Sequence, residues 1–316
     1  MKLFARPAPV GDVDMETTVG RLTLPNPIMT ASGTAGHGSE LGRYVALDRL
    51  GALVVKSLSI MEWEGNPPPR VTQLPGAMMN SVGLQGPGVA AWITDELPEL
   101  QRSGARVVAS IWGRTIEEYA QATEALVPVE SELLAVEVNV SCPNLEDRRK
   151  MFAHSCESAS SVMEATSSLS IPRWAKLSPN VADIAEIAGA VWEAGADAVT
   201  LTNTLLGLVL DPDTGRPVLG GGGGGVSGPA VLPIALRAVF DVAAAYPELP
   251  IIGVGGIATA QDAVQYLRAG ASAVQIGTAN FADPRSTMRV LDELSQWCSG
   301  AGIGRVAELI GTAHQR

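Results

Sequence analysis

Leu133-Leu-Ala-Val-Glu-Val-Asn-Val-Ser-Cys-Pro-Asn144 is a largely apolar run that stops abruptly in two amides, a hydroxyl, a thiol and a proline. A continuous run, unlike an alternating one, reads as a strand buried on both faces, as in a parallel sheet. Pro143 has no N–H and cannot extend a ladder, so the strand ends where Asn139, Ser141, Cys142 and Asn144 cluster. Taken alone, Cys142 reads as a small packed hydrophobe. Its surroundings along the chain suggest chemistry.

Runs of the same kind recur at 27–31, 52–57, 106–111, 173–177, 196–202, 250–254 and 272–276. Amphipathic patterns lie between them at 88–102, 115–127, 156–169, 181–194, 230–245, 260–269 and 285–297, with a weaker one at 40–50. The pattern at 181–194 repeats apolar residues three and four apart and ends at Gly195, a helix C-cap. Eight buried strands, each followed by a helix, predict a (β/α)8 TIM barrel occupying 1–316 as a single domain. The segments 57–85 and 205–226 exceed ordinary connections and are expected as inserted loops over the active site. The second carries a DPDTG turn and six consecutive glycines, Gly220 to Gly225, which read equally as a mobile flap or a surface hairpin.

A doubly wound open sheet shares this alternation, but the glycines favour the barrel. Barrels commonly bind phosphate in the loops after strands seven and eight. Here those loops are Gly253-Val-Gly-Gly256 and Gly277-Thr278. The first also fits a dinucleotide fingerprint, but no acid stands about twenty residues on to hold a ribose. The other strand ends would bring Ser32, Lys56, Ser57, Asn139, Cys142, Lys176, Asn203 and Thr204 to the same mouth.

The formal net charge of -11 argues against nucleic-acid and anionic-membrane partners. The three cysteines, Cys142, Cys156 and Cys298, are too few and scattered for a disulfide framework, and cannot supply the four thiolates of an iron–sulfur cluster. There is neither a signal-peptide pattern nor an apolar run long enough to span a bilayer, so a cytoplasmic protein is expected. Residue chemistry by itself leaves several readings open. Cys142 could act as a general base, or as a nucleophile if His154 folds back onto it, and Lys56 or Lys176 could form a Schiff base in a lyase.

Asn80-Ser-Val-Gly-Leu-Gln85, Asn139-Val-Ser-Cys-Pro-Asn144, Lys176-Leu-Ser-Pro-Asn180, Thr202-Asn-Thr-Leu-Leu-Gly207, Val226-Ser-Gly-Pro229 and Gly277-Thr-Ala-Asn-Phe281 closely resemble the catalytic subunits of dihydroorotate dehydrogenases, from about residue 15 to 313. Cysteine at position 142 is similar to class 1, and KLSPN, TNTLLG and GTANF resemble the NAD-linked class 1B branch. The resemblance implies oxidation of dihydroorotate to orotate in pyrimidine biosynthesis, with Cys142 removing the C5 proton and FMN accepting the C6 hydride. Electrons would pass to NAD through a separate FAD and iron–sulfur subunit, in a heterotetramer built on a homodimer. Ser32, Lys56, Ser57, Ser110, Asn139, Lys176, Thr202, Gly228, Gly255, Gly256, Gly277 and Thr278 would hold FMN. Lys56, Asn80, Ser81, Val82, Gly83, Leu84, Asn139, Asn144, Asn203 and Thr204 would hold the substrate. A fumarate-linked class 1A-like enzyme and an FMN-dependent dihydropyrimidine reductase are the neighbouring alternatives. The chain departs from similar class 1B proteins at Ser110, where they carry asparagine, at Trp112, where they carry a small residue, and at Gly86, where asparagine is typical. It also lacks the usual glycine pair after Cys142, reading Glu146-Asp-Arg-Arg-Lys150 instead.

Overall fold

Eight parallel strands form a single sheet: β1 (Ile28–Thr30), β2 (Leu53–Val54), β3 (Val107–Ile111), β4 (Ala135–Asn139), β5 (Arg173–Leu177), β6 (Ala198–Leu201), β7 (Ile251–Val254) and β8 (Ala273–Ile276). In this computed structural model, which describes residues 11–142 and 151–315, they run in the order 1-8-7-6-5-4-3-2. A parallel bridge between Met29 and Ala52 joins β1 back to β2 and closes the ring. All eight fall within the runs read from the sequence. The segment Pro143 to Lys150, with Asn144 and the charged stretch Glu146 to Lys150, lies outside the described residues.

Helices follow the strands as the patterning requires. After β2 come α1 (Val89–Asp95) and α2 (Leu97–Arg102), then α3 (Ile116–Leu126), α4 (Cys156–Ala165), α5 (Ile184–Glu193), α6 (Leu232–Ala245) and α7 (Ala260–Arg268), and after β8 the short α8 (Ala279–Ala282) and long α9 (Ser286–Ala301). The helix expected at 88–102 is broken because Pro98 has no N–H to donate backward. Side-chain caps start four of the others: Thr115, Ser155, Asp183 and Thr259 each accept from backbone N–H groups of the first turn. Gly195 closes the turn after α5 at φ +93°, a conformation strained for any side chain. The weaker pattern at 40–50 yields only two 3-10 turns, Glu40–Arg43 and Leu47–Arg49.

The interior is layered along the barrel axis. At the N-terminal end, Met29, Ala52, Val54, Val108, Ala135, Trp174, Ala198, Ile252 and Ala273 pack together, plugged by Val19 and Leu24. Those two come from an antiparallel hairpin, Thr17–Val19 with Leu22–Leu24, that the sequence reading did not anticipate. Above this apolar plug lie buried polar side chains: Ser110, Glu137, Lys176, Thr200 and Gln275. The C-terminal mouth opens above them.

The two insertions build one four-stranded antiparallel sheet, in the order Leu205–Gly207, Gly224–Ser227, Ala77–Asn80, Val71–Leu74. Gly224 and Gly225 of the glycine run are therefore part of a paired strand, in line with the hairpin reading. Its glycines serve close approach: a side chain on Gly220 would collide with the carbonyls of Pro67 and Pro68, and one on Gly224 with that of Asn80.

Candidate active site

A cavity of about 450 Å³ opens at the C-terminal ends of the strands, roofed by the four-stranded sheet. That volume is in the range that accommodates a small-molecule cofactor or substrate. Each strand end contributes. Ser32 follows β1, Lys56 and Ser57 follow β2, Asn139 ends β4 with Cys142 beyond it, and Lys176 lies on β5. Thr202, Asn203 and Thr204 follow β6, Gly255 and Gly256 follow β7, and Gly277 and Thr278 follow β8. The insertions bring Asn80, Val82, Gly83, Leu84 and Gly228 to the same wall. Two anticipated residues stand back from it. The Ser110 hydroxyl is fully buried 2.8 Å from that of Ser57, and Ser81 turns away to accept from Asn66 Nδ2 at 3.0 Å. Ser141, Met78, Ser227 and Phe281 line the cavity although the sequence reading did not select them.

A chain of amides crosses the floor. Asn203 Nδ2 donates to Asn139 Oδ1 at 3.2 Å, Asn139 Nδ2 donates to Ser57 Oγ at 3.5 Å, and the Thr204 N–H holds Asn203 Oδ1 at 2.8 Å. These bonds fix which end of each amide faces the cavity.

Cys142 is 1% exposed. Its thiol donates to the Asn139 carbonyl at 3.4 Å, and the Tyr119 hydroxyl donates to the same oxygen at 2.6 Å. Burial pushes the thiol up to about 12, while the Tyr119 hydroxyl and the charge of Lys56 pull the other way. Burial also lowers Lys56; Cys142 opposes that effect and Arg70 adds to it. His154 is exposed in the 3-10 turn Phe152–His154. It offers no support to the nucleophilic reading of buried Cys142.

The loop carrying Asn80 to Leu84 is bent through two left-handed residues, Gly83 at φ +74° and Leu84 at φ +63°. The second is an unusual conformation for a branched side chain. Its neighbours hold it: Trp63 Nε1 donates to the Gly83 carbonyl at 3.0 Å, and the Asn66 N–H to that of Val82 at 3.0 Å. Trp63 is gripped in turn by Trp112, edge-on with centroids 5.9 Å apart, and by the Arg114 guanidinium 4.6 Å above its ring. Trp63, Arg114 and Glu118, which pairs with Arg114, were not singled out in the sequence. No spacing links a loop tryptophan to a glycine carbonyl twenty residues on.

The cavity carries groups suited to an anion and to a planar polar heterocycle. Gly255 (φ +137°) and Gly256 (φ +74°) present backbone where a Cβ would lie 2.6 Å from Ala235 Cβ and 2.6 Å from Leu232 Cβ, a cradle that only glycine can form. Tyr266 pins it, donating to the Gly255 carbonyl at 2.7 Å. Such a turn exposes N–H groups to an anion such as a phosphate. Lys176 lines the same cavity, and the amides offer donors and acceptors to a planar heterocycle.

Fold and cavity together define a (β/α)8-barrel enzyme with a polar cavity at the C-terminal mouth of the strands. The chain belongs to the dihydroorotate dehydrogenase family, whose family model matches residues 14–297. The dihydroorotate dehydrogenase B (NAD(+)) catalytic subunit of Desulforudis audaxviator is 46% identical over 304 residues, covering 96% of this chain and 98% of that protein. Its namesake from Geobacter sulfurreducens is 44% identical over 299 residues, covering 94% and 97% respectively.

Proposed function

We propose that this chain is the FMN-carrying catalytic subunit of an NAD-linked dihydroorotate dehydrogenase. It oxidises dihydroorotate to orotate, a step of pyrimidine biosynthesis, and passes the electrons to a partner subunit. The observation that carries the reading is the convergence of a buried thiol, two lysines, an amide chain and a glycine cradle on one cavity.

Gly255, Gly256, Gly277 and Thr278 would receive the phosphate, Ser32, Ser57, Asn139, Thr202 and Gly228 would line the remainder, and Lys176 would supply a positive charge to the reduced ring. When bound, FMN supplies the acceptor for the C6 hydride. Asn80, Asn139, Asn203 and Thr204 orient the pyrimidine, and the bend at Gly83 and Leu84 closes over it. Cys142 Sγ takes the C5 proton. With its thiol raised by burial, positioning and the nearby Lys56 charge must compensate for a scarce thiolate. Ser110 and Ser81 contribute from behind, the first through Ser57 and the second by anchoring the loop.

The relatives' names carry the words catalytic subunit, which supports a partner chain, and NAD(+), which supports an NAD-linked enzyme over a fumarate-linked one. A Schiff base at Lys176 is less well served, since an amine nucleophile must be neutral and Lys176 Nζ is paired with Glu137.

The test is direct. Purified protein is expected to be yellow, and dihydroorotate should bleach it without oxygen. Cys142→Ala should keep the flavin and slow bleaching at neutral pH by roughly 10²–10⁴-fold. A preparation that neither contains nor takes up FMN would remove the reading.

A further inference from the structure

Lys176 is 4% exposed, and at that depth its Nζ needs partners to hold and direct it. A lysine with no partner in such a place loses its proton. Below it, inside the barrel, lies Glu137, a carboxylate with no exposure at all. One oxygen of Glu137 is 3.4 Å from Lys176 Nζ, and the other accepts from Gln275 Nε2 at 2.7 Å. Lys176 Nζ also donates to Ser32 Oγ at 3.0 Å.

An ammonium has three N–H bonds. Among the described residues two are taken, by Glu137 and Ser32, on the floor and rim of the cavity, and the third is left for whatever occupies it. The charge pair lies one layer beneath the catalytic groups, where neither substrate nor solvent reaches Glu137. Resting on the flavin reading, the geometry points to Glu137 as a positioning residue that keeps Lys176 charged and aims its remaining N–H at the edge of the flavin where electrons arrive.

The charged and titratable groups around Lys176 support the assignment. From β4 comes Glu137; across the cavity stand Lys56, after β2, and Cys142, after β4. Thr200 of β6 pairs beside Lys176, with Thr202 just beyond that strand and Gln275 on β8, and none of the three titrates. Glu137 is thus the counter-charge, and Lys56, of like sign, makes it more necessary. Gln275 completes the arrangement by occupying the oxygen of Glu137 that Lys176 does not use.

The chain has four lysines, Lys2, Lys56, Lys150 and Lys176, so their side-chain carbons can be followed singly by NMR in selectively labelled, cofactor-free protein. In Glu137→Gln, the Lys176 signal should begin its alkaline movement at least about one pH unit below the native protein, equivalent to a tenfold change in proton affinity. In FMN-loaded protein, the reduction potential of E137Q should fall more steeply with pH than the native one. The reason is that reduction then draws a proton onto a lysine that no longer holds it securely. In a Lys176→Met background, E137Q should leave that slope unchanged. An unmoved Lys176 signal, parallel potential profiles, or an E137Q effect that persists without the lysine would overturn the assignment. If E137Q alone does not fold, recovery of folding in the double variant supports it, because no cation is left unpaired; failure of both reduces Glu137 to scaffold and overturns it. Native protein that takes up no FMN sinks the functional reading, whereas an unmoved lysine signal sinks the role of Glu137.

Discussion

Cys142 carries the sharpest consequence at the scale of single residues. A thiol raised to about 12 by burial is almost wholly protonated at neutral pH, so the base is a minor species whose population grows as pH rises. The rate at which dihydroorotate bleaches the flavin should therefore climb with pH, approaching about tenfold per unit between pH 6 and 9. Stopped-flow absorbance across that range checks it; a flat profile would remove Cys142 as the base. Gly256 gives a second test. At φ +74°, with the Leu232 N 2.8 Å from any added Cβ, Gly256→Ala must shift the turn. A cost of more than about 1 kcal/mol is expected, concentrated on cofactor retention. Dialysis should strip FMN from this variant faster than from the native protein.

At the scale of elements, the first insertion is a rigid support for the residues it delivers. Trp63, clamped between Trp112 and Arg114, transmits the position of the β3 end to the Gly83 carbonyl. Trp63→Phe keeps most of the aromatic contact and deletes the hydrogen bond, a loss of about 0.5–1.5 kcal/mol. The expected result is a KM for dihydroorotate raised roughly 2- to 10-fold, with FMN affinity unchanged; equal weakening of both would show general disruption instead. The same clamp accounts for Trp112, one of the departures from similar class 1B proteins. Its ring packs against Trp63 and is 3% exposed, a structural partner of the loop and not a contact in the cavity.

For the whole molecule, the seam between β1 and β2 is the thinnest part of the ring. One bridge closes it, assisted by the Thr30 hydroxyl, which donates to the Val54 carbonyl at 3.2 Å and accepts from the Val54 N–H at 2.8 Å. Thr30→Val has nearly the same shape but leaves both Val54 groups unsatisfied, at a cost of about 2 kcal/mol or more. Thermal unfolding should move down by several degrees, at about 2 °C per kcal/mol for a large domain. An unchanged midpoint would mean that the seam is held elsewhere. The ring also explains why the cavity has a floor at all, since the hairpin at Thr17–Leu24 plugs the opposite end.

Strand and helix identity was set locally, by continuous apolar runs and by caps such as Thr115, Asp183 and Gly195, so the eight units and the residues at their ends could be read from the sequence. What lies at strand ends in a barrel must meet, and Lys56, Asn139, Cys142, Lys176 and Asn203 do. The glycine run could not be resolved in that way, because whether glycine means flexibility or close approach depends on what packs against it, here Asn80 and the carbonyls of Pro67 and Pro68. Nor could the setting-back of Ser110 and Ser81, or the grip of Trp63 on Gly83, which follow from distances between segments far apart in the chain. The pairing of Glu137 with Lys176 is of the same kind. Glu137 is the lone charge of β4 and Lys176 shares β5 with Arg173, and only the pairing of these two strands sets the register that makes Glu137 and Lys176 one group.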